Sequence, residues 1–268
     1  MQDTEPVVPE APAVIVHVGL HKTATTWLQN NLFAQEAGKS VTYCEDRTLL
    51  RGVFSSPAYG AFSPEAARGD LAALLAEARA QATPLLLSDE ALAGFPFGDR
   101  FRKGVTLQRI HETFPEAVVF VTIREQVRVL HSVYGHYLRG GGTATLENFL
   151  LQPDAQARRL WWPIADLDYY DYEQLHGLLS DLFGAERVVM VPMEWMLRDT
   201  DAFLRHMSAR CGLDWGEVTV GGGGAGTVVN PALSDLGYGV LRILNHLDSG
   251  TPRWTVRHRI VRPNAFAA

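Results

Sequence analysis

Lysine is scarce in this chain, confined to Lys22, Lys39 and Lys103, and the net charge of −6 leaves no basic surplus. Without such a surplus there is no reason to expect nucleic acid or an anionic membrane as a partner, and any anion site must be local. Cysteine is as rare. Cys44 and Cys211 stand apart, with neither a CxxC nor metal-ligand spacing, which argues against a disulfide scaffold and against zinc and favours a reducing, cytoplasmic setting. No apolar run approaches the ~20 residues that a membrane-spanning helix requires. The opening MQDTEPVVPEAP is acidic and Pro-rich with no apolar centre, so residues 1–12 read as a disordered lead-in rather than a signal or transit peptide. What remains is a chain of 268 residues, 47% hydrophobic and 20% charged, enough for one sizeable core; residues 13–268 are expected to form a single domain.

Apolar runs alternate with helical patterns along the chain. Val14–Val18, Val41–Cys44, Leu85–Ser88, Val118–Ile123 and Val188–Val191 read as strands, the second as an edge strand. Helices are expected from Thr25 to about Ala37, over Pro64–Ala82, from about Thr106 to Phe114, and over Glu125–Arg139, Tyr172–Phe183 and Thr200–Cys211, several of them stopped by a glycine. A further helix is expected from about Pro231 to Leu247, whereas Arg47–Ser63 reads as loop. This alternation predicts an α/β fold, a central parallel sheet flanked by helices on both faces. In such sheets ligands gather at the carboxyl ends of the strands, where the loop after Gly19, the Ser88-Asp89-Glu90 group and Arg124 all fall.

The stretch VIVHVGLHKTATTWL, Val14–Leu28, is a buried strand, a polar loop and a helix start. Backbone N–H groups and a helix N-terminus converge at such a loop and favour phosphate or sulfate. The triphosphate pattern G-x-x-x-x-G-K-[ST] fails here, because Ala24 and Thr25 occupy the second glycine and the lysine positions counted from Gly19. Lys22-Thr23-Ala24-Thr25-Thr26-Trp27 instead resembles the 5'-phosphosulfate loop of the sulfotransferases that use 3'-phosphoadenosine-5'-phosphosulfate (PAPS), with Ala24 in place of a glycine. A helix-compatible backbone is therefore expected at Ala24.

A second motif reinforces the first. Arg124 ends the strand Val118–Ile123 and Ser132 follows eight residues later, a spacing similar to the family's 3'-phosphate motif; a guanidinium supplies paired charge-assisted bonds and the hydroxyl one more donor. The resemblance, over about Val14 to Gly212, implies a P-loop-like sulfotransferase fold and transfer of a sulfuryl group to a hydroxyl or amine, with adenosine 3',5'-bisphosphate as by-product and no metal required. It implies that Lys22 contacts the leaving phosphate, that Thr23, Thr25 and Thr26 with nearby N–H groups hold the 5'-phosphate, and that Arg124 and Ser132 hold the 3'-phosphate. Trp27 would lie against adenine or in the core, and Met193 stands where a branch of the family has an adenine-packing Tyr.

The reaction needs a base for the acceptor's proton. Glu90 is the first candidate and His21 the second, or a transition-state donor, while His17, His131 and His136 are given no role. Acceptor contacts are expected among Ala91–Phe101, Tyr134, Tyr137 and Trp161-Trp162, with Gly140–Gly142 as a hinge. Gly221–Gly226 reads as a lid or a linker before a basic helical segment over residues 231–268 that ends in Arg253, Arg257, Arg259 and Arg262. A glycan, lipid, peptide tyrosine or small natural product fits the acceptor's place equally. Two alternatives stay open, a nucleotide or metabolite kinase on the same scaffold and a non-catalytic nucleotide-binding relative.

Overall fold

A computed structural model describes residues 13–56, 62–97, 102–150, 164–165, 167–213, 215 and 235–247. The lead-in, Phe101, Trp161-Trp162, the loop Gly221–Gly226, the start of the last helix and the C-terminal arginines lie outside them. The described chain divides into two compact units: the first runs to Phe95, resumes up to Glu125 and again from Asp168, and the second takes residues 96–97, 126–150, 164–165, 167 and 235–247.

The first unit is built on a five-stranded sheet, every pair parallel, in the order β2-β3-β1-β4-β5. The strands are β1 (Val14–Val18), β2 (Thr42–Cys44), β3 (Leu85–Asp89), β4 (Val118–Ile123) and β5 (Val188–Pro192). β1 lies at the centre, between β3 and β4, so the order turns about it and opens a crevice at its carboxyl end. β1 and β3 are buried along their whole length, as a sheet covered on both faces requires, and this is why they read as unbroken apolar runs.

The helical segment α1 follows β1. It consists of Thr25–Leu28, a π-turn at Gln29–Phe33, and Ala34–Glu36, and the chain leaves it through Gly38 at φ +73°. The remaining helices of this unit are α2 (Arg47–Phe54), α3 (Pro64–Asp70), α4 (Ala72–Gln81), α5 (Arg102–Thr113), α8 (Tyr172–Phe183), α9 (Met193–Arg198) and α10 (Thr200–Cys211). On one face of the sheet Ile15, Leu86 and Phe120 share a core with Leu28 and Phe33 of α1, Met196 of α9 and Phe203 and Met207 of α10. α8 packs on β4 and β5, and α4 on β2 and β3.

Two helical expectations are corrected. Arg47–Phe54 is helix, not loop: the Asp46 carboxylate accepts the Leu49 N–H at 2.9 Å as an N-cap, and Leu50 and Phe54, four apart, are both buried. The stretch Pro64–Ala82 is two helices, because the backbone leaves helical geometry at Leu71 (φ −96°, ψ 5°), whose side chain is fully buried.

Polar groups are threaded through this core. His17 Nδ1 lies 2.8 Å from the Ser88 hydroxyl, and the Gln29 amide donates to the Ser88 hydroxyl at 3.1 Å and to its carbonyl at 3.3 Å, joining β1, β3 and the π-turn. The His17 ring packs against Phe33 and Phe120, and burial pushes its pKa down to about 3. At the end of β3 the Asp89 carboxylate, 0% exposed, receives two bonds from the Arg51 guanidinium, at 2.7 and 3.1 Å, and accepts the Ala91 N–H at 2.7 Å.

The second unit contains α6 (Gln126–Arg139), α7 (Leu146–Leu150) and α11 (Asp235–Leu247). Tyr134, Tyr137 and Phe149 pack together, and Tyr238 of α11 packs against Tyr134. Both hydroxyls of the α6 tyrosines are used internally: Tyr134 donates to the Ala144 carbonyl at 2.9 Å, and Tyr137 accepts the N–H groups of Thr143 and Ala144, each at 3.1 Å. Gly142 is required by close approach, since a Cβ there would come 2.3 Å from the Tyr137 ring.

Replacing Arg51 by Ala leaves the Asp89 carboxylate buried without its partner. A fully buried pair broken this way costs about 3–5 kcal/mol; because Arg51 is 37% exposed, the expected loss in urea unfolding is nearer ~2 kcal/mol.

Candidate active site

The loop between β1 and α1 is shaped by backbone strain. Lys22 (φ +68°) and Ala24 (φ +69°) both adopt the left-handed conformation. The expectation of a helix-compatible Ala24 is thus overturned: the residue is the N-cap of α1 in a geometry that favours glycine, although a side chain bearing Cβ pays ~1–2 kcal/mol for it. Left-handed residues alternating with others turn successive N–H groups toward one point, an anion-binding concavity. No side chain caps α1, and the Leu28 N–H, bonded to the Ala24 carbonyl at 3.1 Å, is the first to be satisfied inside the helix.

The threonines divide their work. The Thr23 hydroxyl, fully buried, donates to the Leu20 carbonyl at 2.7 Å and lies 3.1 Å from the Thr122 hydroxyl on β4; the Thr25 hydroxyl reaches the same Leu20 carbonyl at 3.3 Å. Both hydroxyls tie the loop together from inside, so what these residues offer a ligand is main chain. Thr26 is exposed, and Trp27 is half-buried with one side against the core. Gly19 is required by close approach: a Cβ there would sit 2.5 Å from Thr25 Oγ1.

Side chains from distant elements surround the loop. His21 is 6% exposed, its ring beside Phe95, with Nδ1 3.0 Å from the Tyr169 hydroxyl and Nε2 3.9 Å from Glu90 Oε1. Burial above all, then the Lys22 charge, pushes the His21 pKa down to about 3, with Asp89 opposing and Arg51 adding to the drop. The imidazole is therefore neutral at ordinary pH. Nδ1 shares a hydrogen bond with the Tyr169 hydroxyl, which also lies 3.5 Å from the Gly94 carbonyl, and Nε2 faces the Glu90 carboxylate. Glu90 follows β3 directly and is 31% exposed, open to a reactant in a way His21 is not.

A 3-10 turn at Leu167–Tyr170 supplies Tyr169 and Tyr170, and the Tyr170 hydroxyl donates to the His21 carbonyl at 3.4 Å. Burial raises both phenols well above their ordinary pKa. Lys103 of α5 lies 5.5 Å from the Tyr169 ring centre and donates to the Asp168 carbonyl at 3.4 Å. None of these residues carries a motif, so sequence reasoning had no signal for them.

Arg124, just past β4, donates from Nη1 to the Lys22 carbonyl at 3.2 Å, while its Nε is buried without a hydrogen-bond partner among the described residues. A buried guanidinium N–H left open is unusual and suits an anion. The Tyr172 hydroxyl donates to the Arg124 carbonyl at 2.7 Å and accepts its N–H at 3.4 Å, and Glu194 Oε1 accepts the next N–H, of Glu125, at 3.1 Å. Met193, beside Glu194, is buried at the start of α9. Ser132 is half-buried on α6, in the second unit. Among the described residues no group of three or more His, Cys, Asp or Glu gathers as a metal site would, and no helix is long and apolar enough to cross a membrane.

Two stability outcomes follow. Ala24→Gly relieves the left-handed strain, which outweighs the added chain entropy, and is expected to raise stability by up to ~1 kcal/mol, whereas Gly19→Ala lowers it; urea unfolding reads both. His17 and His21, neutral in the fold with pKa values of about 3 against 6.5 when unfolded, bind protons only on unfolding between those limits. Their stabilisation is complete above pH 6.5 and is lost as the pH falls, by up to ~1.4 kcal/mol per pH unit for each ring. His17→Gln should cut the proton uptake on unfolding near pH 5 by about one proton.

No protein-family model matches the chain, and no curated protein is significantly similar to it in sequence. Among solved structures it is similar to the sulfotransferase from Alicyclobacillus acidocaldarius, with 19% identity, 77% of this chain and 83% of that one covered, and a TM-score of 0.53. The sulfotransferase domain from the curacin biosynthetic pathway aligns at 13% identity over 77% of this chain and 76% of its own, TM-score 0.42. The sulfotransferase domain of the Synechococcus PCC 7002 olefin synthase aligns at 16% identity over 91% and 98%, TM-score 0.41. The fold assignment rests on the first of these: the chain shares the parallel α/β fold of that sulfotransferase structure.

Proposed function

We propose that the protein is a sulfotransferase that moves a sulfuryl group from PAPS to a hydroxyl or amine of an acceptor. The observation that carries the reading is the loop at Lys22–Thr26, whose left-handed residues and helix start without a side-chain cap suit an anion, beside an arginine whose Nε has no hydrogen-bond partner among the described residues. Both elements coincide with the sequence motifs for the two phosphate-bearing ends of that donor.

The residues fit the nucleotide. Lys22 and the N–H groups of Ala24, Thr25 and Thr26 would hold the 5' end, and Arg124 the 3'-phosphate, with Trp27 available to adenine; bound, the donor supplies an activated sulfuryl group on a phosphate leaving group. The chain's own residues do the rest by positioning and electrostatics. The Lys22 ammonium offsets charge on the leaving phosphate. Glu90 takes the acceptor's proton, being the carboxylate that is both accessible and anchored through its neighbour Asp89. A His21 ring that stays neutral is a weak base and serves better as a buried polar neighbour of Glu90. Glycan, lipid, peptide tyrosine and small natural product all fit the acceptor's place.

Thermal unfolding tests the donor. Adenosine 3',5'-bisphosphate at 100 times its dissociation constant adds about 2.7 kcal/mol, a rise of roughly 5–10 °C at this chain length. A rise with ATP and Mg²⁺ alone overturns the reading in favour of a kinase. Glu90→Gln should keep the bisphosphate shift yet lower transfer of a labelled sulfuryl group to a panel of acceptors by about 10²–10⁴; undiminished transfer places the base elsewhere.

A further inference from the structure

Resting on that reading, we infer that Arg124 has a second role besides holding the 3'-phosphate: it braces the 5' loop, so that binding at the two ends of the nucleotide is energetically coupled. Lys22 holds a left-handed backbone that a residue with a Cβ does not keep unless its surroundings impose it. What imposes it at the Lys22 carbonyl is the Arg124 guanidinium, at 3.2 Å. Neighbouring groups are fixed separately, the His21 carbonyl by Tyr170 and Thr23 by Leu20 and Thr122.

Arg124 is itself anchored at its root. The Tyr172 hydroxyl holds its carbonyl and its N–H, and Glu194 holds the N–H that follows. A guanidinium is planar, so with its root fixed and Nη1 committed to Lys22, the direction of the open Nε–H is determined as well. An anion taken at Nε therefore restrains the same rigid fork that shapes the loop, and an anion in the loop restrains the fork in return. By linkage each end favours the other by the same factor.

The test compares ligands with and without the 3'-phosphate on the wild-type protein and on Arg124→Ala. If Arg124 only contacts the 3'-phosphate, the substitution weakens adenosine 3',5'-bisphosphate and leaves adenosine 5'-monophosphate unchanged. The brace predicts that calorimetric affinity for the monophosphate, which lacks the group Arg124 would hold, also falls by roughly tenfold. Equal monophosphate affinity in both proteins overturns the brace while leaving the donor assignment intact; a wild-type protein that binds neither ligand overturns both.

A ligand-free arm decides the matter where monophosphate binding is too weak to titrate. Backbone amide resonances of Lys22–Thr26 should shift or broaden in Arg124→Ala without any nucleotide, and Tyr172→Phe, which loosens the root while keeping the guanidinium, should move them in part. Loop resonances unchanged in both variants overturn the brace.

Discussion

A left-handed backbone at Lys22 and Ala24 is the constraint on which the rest of this site depends. Each residue costs ~1–2 kcal/mol in that conformation, and the loop persists because tertiary bonds hold it from several sides. Thr23 and Thr25 draw the Leu20 carbonyl inward, Tyr170 holds the His21 carbonyl, and Arg124 holds that of Lys22. The same packing explains Gly19, over which the Thr25 side chain closes. The loop is thereby shaped before any ligand arrives, which is how a site lowers the entropic cost of binding.

The sheet decides where such a loop can stand. With β1 and β3 buried on both faces, chemistry is left to the strand ends, and β1, β3 and β4 all bring polar residues to the same edge. Charge there is arranged in pairs. Asp89 is satisfied by Arg51, and the next residue, Glu90, is a partly exposed carboxylate beside His21. Burial keeps the intervening His21 neutral, so it adds a dipole rather than a charge to a site already holding Lys22 and Arg124.

Helix starts were legible at several of the cap residues that mark them. Ser63 before Pro64, Asp171 before Tyr172 and Asp199 before Thr200 each accept an N–H of the first turn. Asp46 does the same for α2, but Gly52 and the Ser55-Ser56-Pro57 that follows mask an eight-residue helix as loop. Ala24 was misjudged for a different reason. Local sterics give alanine no cause to turn left-handed, and only bonds from residues far along the chain outweigh them.

The sequence by itself determined the alternation of strands with most of the helices, because apolar periodicity and caps act between neighbours, and it displayed the residue types of the two motifs, Lys22 to Trp27 and Arg124 with Ser132. Tertiary structure alone decided what those residues do. It turned the Thr23 hydroxyl inward, brought Tyr169 to His21 from 148 positions away, and set Arg124 on the Lys22 carbonyl across 102. Such contacts arise from how helices pack on a twisted sheet, and nothing in the local pattern of a chain encodes which distant side chain will arrive.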